Sequence, residues 1–332
     1  MIQAYASLPH YREHLAPIVE ALPPGVFGEW WAPMRRPWGR PLGREDRSGH
    51  LWLVAGASDV QRLGPGVPCV LVSHGADQSY HGDETAARHP SYAGGNGMEQ
   101  VRLFVCPSES SAQRWLARYP EARTVVAGCA KLDRWNRESR IANRDFANRQ
   151  SGPLRVAVAM HWPNSLCPEA GTAWSHYRPV MPDLRDALAA RGAELVGHGH
   201  PRWWRQYRTD WARMGVRAVE DFAAVMDEAD VLVVDNSSTG PEFASTRKPI
   251  IWVSAPWWRR DVDHGGRFWS WVQGMPHVEE PEQLVPTVLT VLDHPERHAA
   301  AQARMVASVY AHTDGRAAER AAAAIMQVPL PS

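Results

Sequence analysis

Residues 228–253 read EADVLVVDNSSTGPEFASTRKPIIWV, which carries a strand, a polar turn, a helix and a second strand in succession. Residues 231–234, VLVV, form the short β-branched run of a strand buried on both faces of a parallel sheet. Asp235-Asn236-Ser237-Ser238-Thr239-Gly240 then interrupts it where a helix should open near Pro241. Ser237, Ser238 and Thr239 place hydroxyls beside the free backbone N–H groups of that helix start. A diphosphate docking there would meet donors and the positive end of the helix dipole together. The same Asp235 and Ser237 would equally cap a helix with no ligand present. The helix is expected to end at Arg247-Lys248-Pro249, with residues 250–253 resuming as the next strand.

Working outward, short apolar runs alternate with helical or loop segments along the whole chain, which is the signature of an α/β fold. Residues 9–22 predict a first helix that stops at Pro23-Pro24. Strands are predicted near 26–31, 51–55, 67–72, 102–106 and 124–127, with a helix over 109–119. Residues 33–49, rich in Pro, Gly and Arg, read as an exposed basic loop. After Cys129 the composition turns polar, and the stretch from Lys131 to Pro153 reads as a linker. A second series follows: strands at 154–160, 194–197 and 216–219, helices at 180–191 and 221–228, then the segment quoted above. Helices at 281–292 and 295–328 close the chain, the last of them alanine-rich and expected to pack across the lobes. The predicted organisation is a lobe over 1–140, a second over 152–310, and a terminal helix within 311–332.

The chain has 332 residues, enough for two domains that each bury a core, so two lobes with a cleft between them are expected. Lysine plus arginine and aspartate plus glutamate balance at 36 each, so no net field favours nucleic acid or an anionic membrane. The 4 cysteines, Cys69, Cys106, Cys129 and Cys167, lie far apart without paired spacing, which argues against a zinc site or disulfide framework and fits a reducing cytoplasm. The N-terminus lacks the pattern of a secretory signal, and no apolar run is long enough to span a membrane. Core packing is expected for most of the 16 tryptophans, with some left to line a sugar or base pocket.

Two histidine-bearing segments follow predicted strands, where open parallel sheets place their ligands. Residues 70–73 lead into His74-Gly75, and a neutral imidazole at that strand end could take a proton from an attacking hydroxyl. Residues 195–197 lead into His198-Gly199-His200-Pro201, and one of these rings could face a leaving phosphate. The two histidines lack acidic partners at metal-site spacing, so no metal is expected. His161, after the strand at 154–160, is a weaker candidate.

These segments together resemble the CDP-glycerol glycerophosphotransferase family of teichoic acid and capsule polymerases, whose fold is GT-B. His74-Gly75 resembles the family's N-terminal His-Gly, and the run from Gly128 to Asp133 its Gly-x-Pro-Arg-x-Asp turn with Ala130 and Lys131 substituted. His200-Pro201 resembles the second-lobe His-Pro, followed by Asp221 and the strand at 229–231. Asp235-Asn236-Ser237-Ser238 resembles Asp-Tyr-Ser-Ser, and Asp314-Gly315 with Arg320 the closing Asp-Gly-x-x-x-x-Arg. Two departures stand out: Val-Ser-His-Gly replaces Thr-Trp-His-Gly, and Met160-His161-Trp162-Pro163 replaces Pro-Thr-Trp-Arg. Residues 76–98 form a long polar, glycine-rich loop suited to an acceptor-binding flap.

The resemblance implies a GT-B transferase, two Rossmann-like lobes with an interlobe cleft, moving a glycosyl or glycerophosphate-type group from a nucleotide-diphosphate donor, CDP-glycerol-like or UDP-sugar-like. The acceptor would be a hydroxyl of a polyol, sugar or polymer. His74 is expected as base. His200 and Arg202 would meet phosphate charge, Ser237, Ser238 and Thr239 would hold the diphosphate, Asp235 would orient the turn, and Glu242 could accept ribose or glycerol hydroxyls. No cofactor is implied. The alternatives are a UDP-GlcNAc 2-epimerase-like enzyme, which the turn also resembles without its Gly-Gly and paired Glu, and a non-catalytic nucleotide-binding module. A cytoplasmic location is expected, compatible with peripheral attachment at the inner membrane surface, although no basic amphipathic membrane helix is evident.

Overall fold

Short strands of two to six residues, the longer ones rich in β-branched and aromatic side chains, assemble into two parallel sheets. The structure, a computed structural model, describes residues 1–33, 37, 39–43, 45–76, 93–141, 152–164, 168–260 and 266–330. The chain divides into one unit of residues 1–140 with 307–332 and another of residues 141–306.

The first unit contains β1 (Ile2–Tyr5), α1 (Pro9–Ala21), β2 (Phe27–Ala32), β3 (Arg40–Pro41), β4 (Leu51–Val54), α2 (Ala57–Leu63), β5 (Cys69–Val72), β6 (Val101–Cys106), α3 (Glu109–Arg118), β7 (Arg123–Val126) and α4 (Asp133–Ile141). Its strands pair in parallel in the order β3-β2-β1-β4-β5-β6-β7. The two-residue side-chain period sorts the core into two layers. Leu51 and Leu53 face Leu15 and Ile18 of α1, while Trp52 and Val54 face Val60 and Leu63 of α2.

The second unit contains β8 (Arg155–Met160), α5 (Trp174–Tyr177), α6 (Met181–Ala189), β9 (Glu194–Gly199), α7 (Trp204–Arg213), β10 (Arg217–Ala218), α8 (Phe222–Glu228), β11 (Val231–Val234), α9 (Thr239–Ala244), β12 (Ile250–Val253), α10 (Gly266–Trp271), β13 (His277–Val278) and α11 (Leu284–Asp293). The sheet order is β10-β9-β8-β11-β12-β13, again parallel. In such an order the chain reverses direction across the sheet between β8 and β11. In open parallel sheets this is the point, at the carboxyl ends of the strands, where a ligand crevice forms.

Several elements depart from the sequence expectations. The segment 295–328 is two helices, α12 (Ala299–Val309) and α13 (Ala317–Ile325), because Gly315 adopts a φ of +75° and the Asp133 carboxylate accepts from the N–H groups of Ala317 and Ala318 at 2.9 and 2.8 Å. The chain returns to the first unit for α13, whose Ala318, Ala321, Ala322 and Ile325 join the core layer that includes Leu15 and Ile18. Within the expected linker, residues 133–141 are helical and bury Asp133, Trp135 and Asn136. Strand β1 escaped the reading, since IQAY is short and carries a buried Gln3. Gln3 is accommodated by accepting from Glu29 N and Trp31 Nε1. Most of the expected flap, residues 77–92, lies outside the described residues, as do residues 142–151 and Cys167. Cys69, Cys106 and Cys129 are buried thiols.

Candidate functional site

At the crossover of the second sheet, β8 ends one residue before His161 and β11 one residue before Asp235. Asp235 is fully buried, and its carboxylate accepts from His161 N at 2.9 Å, Ala173 N at 3.0 Å and Thr172 Oγ1 at 3.0 Å. Burial pushes this carboxyl from 3.8 up to about 7, against the downward pull of those donors. Asp235 therefore organises the loop after β8 through its side chain. The adjoining Asn236 donates through Nδ2 to the Glu169 carbonyl. The Glu169 carboxylate, 1% exposed, in turn receives Arg259 through Nε and Nη2 at 2.7 and 2.8 Å. Three loops at the same sheet edge are thereby tied together.

Ser237 takes the capping role: its Oγ accepts from Thr239 N at 3.3 Å and from Thr239 Oγ1 at 2.9 Å. Ser238 and Thr239 are half-buried, whereas Ser237 and Glu242 are buried. Helix α9 is only six residues long, ending at Ala244 before Arg247 turns to a φ of +67°. Its dipole is correspondingly small, so anion binding at this turn would rest more on the local N–H and hydroxyl groups than on the macrodipole.

The VGHGH run of β9 is decided by what packs on it. A Cβ at Gly197 would lie 2.3 Å from the Trp211 ring, and one at Gly199 2.2 Å from the Tyr207 ring, so both glycines let α7 approach the strand. Tyr207 then reaches the crevice, donating its hydroxyl to the His161 carbonyl and meeting Thr172 Oγ1 at 3.2 Å. Of the two histidines, His198 is buried and its Nδ1 donates to Val219 O at 2.8 Å, a structural role. His200 is half-buried at the strand end, and its Nδ1 accepts from Arg202 N at 3.2 Å, so the neutral ring carries its proton on Nε2.

The His200 ring centroid lies 5.3 Å from that of His161 and 6.0 Å from that of Trp162, and the Arg202 guanidinium carbon lies 4.8 Å from the Trp162 centroid. The structure thus brings His161, Trp162, His200 and Arg202 together. Thr172, Tyr207, Glu169 and Arg259, which hold the surrounding loops, were not singled out from the sequence. Nothing in their local pattern marks them.

In the first unit, His74 follows β5 and packs edge-on to Tyr11 at a centroid distance of 4.9 Å, with His10 at 6.2 Å and His14 at 6.3 Å. These three residues come from α1, and their spacing at 10, 11 and 14 is the one sequence signal that could have placed them on one helix face. The Tyr11 ring lies over Gly56, where a Cβ would come within 2.5 Å. Lys131 pairs with Glu13 at 3.0 Å. Among the described residues no group of three or more His, Cys, Asp or Glu side chains is placed to hold a metal ion. Nor is any described helix long and apolar enough to cross a membrane.

The wall teichoic acid polymerase TagF, soaked with CDPG, shares this fold at a TM-score of 0.67 and 12% identity, with 98% of this chain and 88% of that one covered. The UDP-GlcNAc 2-epimerase of Neisseria meningitidis bound to UDP-GlcNAc matches at 0.58 and 11% identity, covering 98% and 99%. MnaA of S. aureus with UDP matches at 0.61 and 14%, covering 100% and 99%. At such identities the likeness is one of fold, and that fold is GT-B, two parallel-sheet α/β domains. No curated protein sequence matches the chain. Residues 192–327, from β9 to α13, match the family of CDP-glycerol:poly(glycerophosphate) glycerophosphotransferases. Over that stretch, and in its GT-B fold, the chain is similar to the CDP-glycerol:poly(glycerophosphate) glycerophosphotransferases.

Proposed function

We propose that this nucleotide-donor transferase uses a CDP-glycerol-like donor and delivers a glycerophosphate-type group to a hydroxyl of a polyol, sugar or polymer. The observation that carries the proposal is the gathering of His161, Trp162, His200 and Arg202 at the sheet crossover, with His200 and Arg202 inside the stretch that matches the family. His74 removes the acceptor proton, and the acceptor oxygen attacks the phosphorus that carries glycerol. The bond from that phosphorus to the bridging oxygen breaks, and a nucleoside monophosphate leaves. Its new charge meets the His200 Nε2–H and the Arg202 guanidinium, donors whose interaction strengthens as charge develops.

On the same reading, Ser238 donates its hydroxyl to the donor phosphates, Thr239 joins it by turning its hydroxyl from Ser237 Oγ to the phosphate, Ser237 and Asp235 hold that turn in shape, and Glu242 acts from within the helix on ribose or glycerol hydroxyls. The family match, whose description names poly(glycerophosphate), supports a polymer of the cell envelope as acceptor, and peripheral attachment at a membrane surface belongs to the same reading. CDP-glycerol is the decisive probe. His74→Ala is expected to lower CMP release by about 10²- to 10⁴-fold with donor affinity nearly unchanged, as loss of general-base help should. His200→Ala should lose affinity and turnover together. Interconversion of free UDP-GlcNAc without CMP release would replace this reading with the epimerase, and nucleotide binding without any turnover would replace it with a binding module.

A further inference from the structure

We propose that His14 is a positioning residue for His74: its ring accepts the Gly75 N–H and so fixes the turn from which the His74 imidazole projects. This rests on the reading of His74 as the base. His14 is buried, 3% exposed, on the face of α1 turned toward the end of β5. Gly75 N donates to its Nε2 at 3.3 Å, so Nε2 holds a lone pair and the ring proton sits on Nδ1. Nδ1 in turn lies 3.7 Å from Cys129 Sγ, within reach of an N–H···S bond. One imidazole therefore joins α1, the turn after β5 and the loop after β7.

The glycine makes this contact matter. Gly75 has a φ of +64°, and glycine populates both signs of φ about equally. Its own sterics therefore do not hold the turn in one direction, and the hydrogen bond to His14 does. The acceptor persists because burial, with Lys131, His74 and His10 nearby, holds the His14 pKa well below the ordinary 6.5. A protonated ring would lose the Gly75 bond and set a second positive charge beside Lys131, which Glu13 already pairs.

The first test uses the unmodified protein. Long-range ¹⁵N–¹H spectra of the histidine rings should show His14 as the Nδ1–H tautomer, with its proton resonance shifted in Cys129→Ala. An Nε2–H tautomer overturns the proposal. In CMP release from CDP-glycerol, His14→Leu should lower kcat by about 10- to 100-fold, the scale of a misplaced catalytic group, with KM for the donor within about twofold. His14→Gln, whose amide oxygen can stand where Nε2 stood, should restore most of that loss. If His14→Gln is as impaired as His14→Leu, the acceptor role is wrong. His74→Ala in the same assay separates the two readings. Unchanged turnover there removes His74 as base whatever His14 does, whereas a collapsed His74→Ala beside a fully active His14→Leu overturns the positioning role alone.

Discussion

Replacing Gly199 by alanine tests how strand β9, helix α7 and the loop after β8 are joined. A Cβ at this position would stand 2.2 Å from Tyr207 Cδ2, while ordinary contact begins at 3.4 Å, so ring and strand must part by about 1.2 Å. Tyr207 is fully buried and has no free volume to retreat into. Its hydroxyl also donates to the His161 carbonyl, and the retreat would withdraw that donor. Overpacking costs about 1–3 kcal/mol, and loss of this donor to a part-buried carbonyl adds about 1 kcal/mol, so Gly199→Ala should destabilise by about 2–4 kcal/mol. Urea unfolding followed by circular dichroism reads the first effect. Calorimetric titration with CDP-glycerol reads the second, since a displaced His161 turn should weaken donor binding as well. In a Tyr207→Leu background the obstructing ring is gone, and the same alanine should cost under about 1 kcal/mol, giving a coupling energy of at least about 1 kcal/mol. If Gly199→Ala leaves the unfolding midpoint and the affinity where they were, or if the two substitutions are additive, the close approach of α7 is not what these glycines serve.

The phosphate turn can be probed by Ser237→Ala with Ser238→Ala, which removes a cap and one half-buried hydroxyl; calorimetry should show donor affinity falling about tenfold, and unchanged affinity would reduce the turn to a helix cap. Asp235 should imprint a pH dependence on stability. Its folded-state pKa of about 7 lies above the ordinary 3.8, so its contribution is fully present below about pH 4 and is lost as pH rises toward 7. Asp235→Asn cannot ionise and should lack that downward slope in urea melts across the window, whereas parallel pH profiles for the two proteins would exclude the linkage.

Two of the motif pieces that suggested the family prove to be structural partners in the first unit. Asp133, which closes the run beginning at Gly128, caps α13, and Asp314 accepts from Nη1 and Nη2 of Arg320. That pairing holds the Asp314 carboxyl well below its usual range. The spacing of Asp314 and Arg320 thus serves to hold the start of the final helix, and Gly315 between them allows the turn. A Cβ there would meet the Arg137 side chain at 2.3 Å.

The α/β alternation, the parallel strands at 231–234 and 250–253 and the strand-end positions of His74 and His200 were legible in the sequence because each depends on local periodicity and on turn residues next to it in the chain. A buried parallel strand announces itself by its β-branched run, and the residue after it must lie at the sheet's carboxyl edge whatever the rest of the protein does. The sequence did not reveal which histidine is structural. His198 and His200 are two residues apart with the same local signal, and only the neighbouring Val219 carbonyl, Trp204 and Phe222 commit His198 to the interior. It did not separate the capping Ser237 from the more exposed Ser238, nor reveal that α1 brings His10, Tyr11 and His14 to His74 across some 60 residues of chain. Those outcomes depend on contacts between elements distant in sequence, whose hydrogen bonds and close approaches exist only once both sheets have closed over their helices.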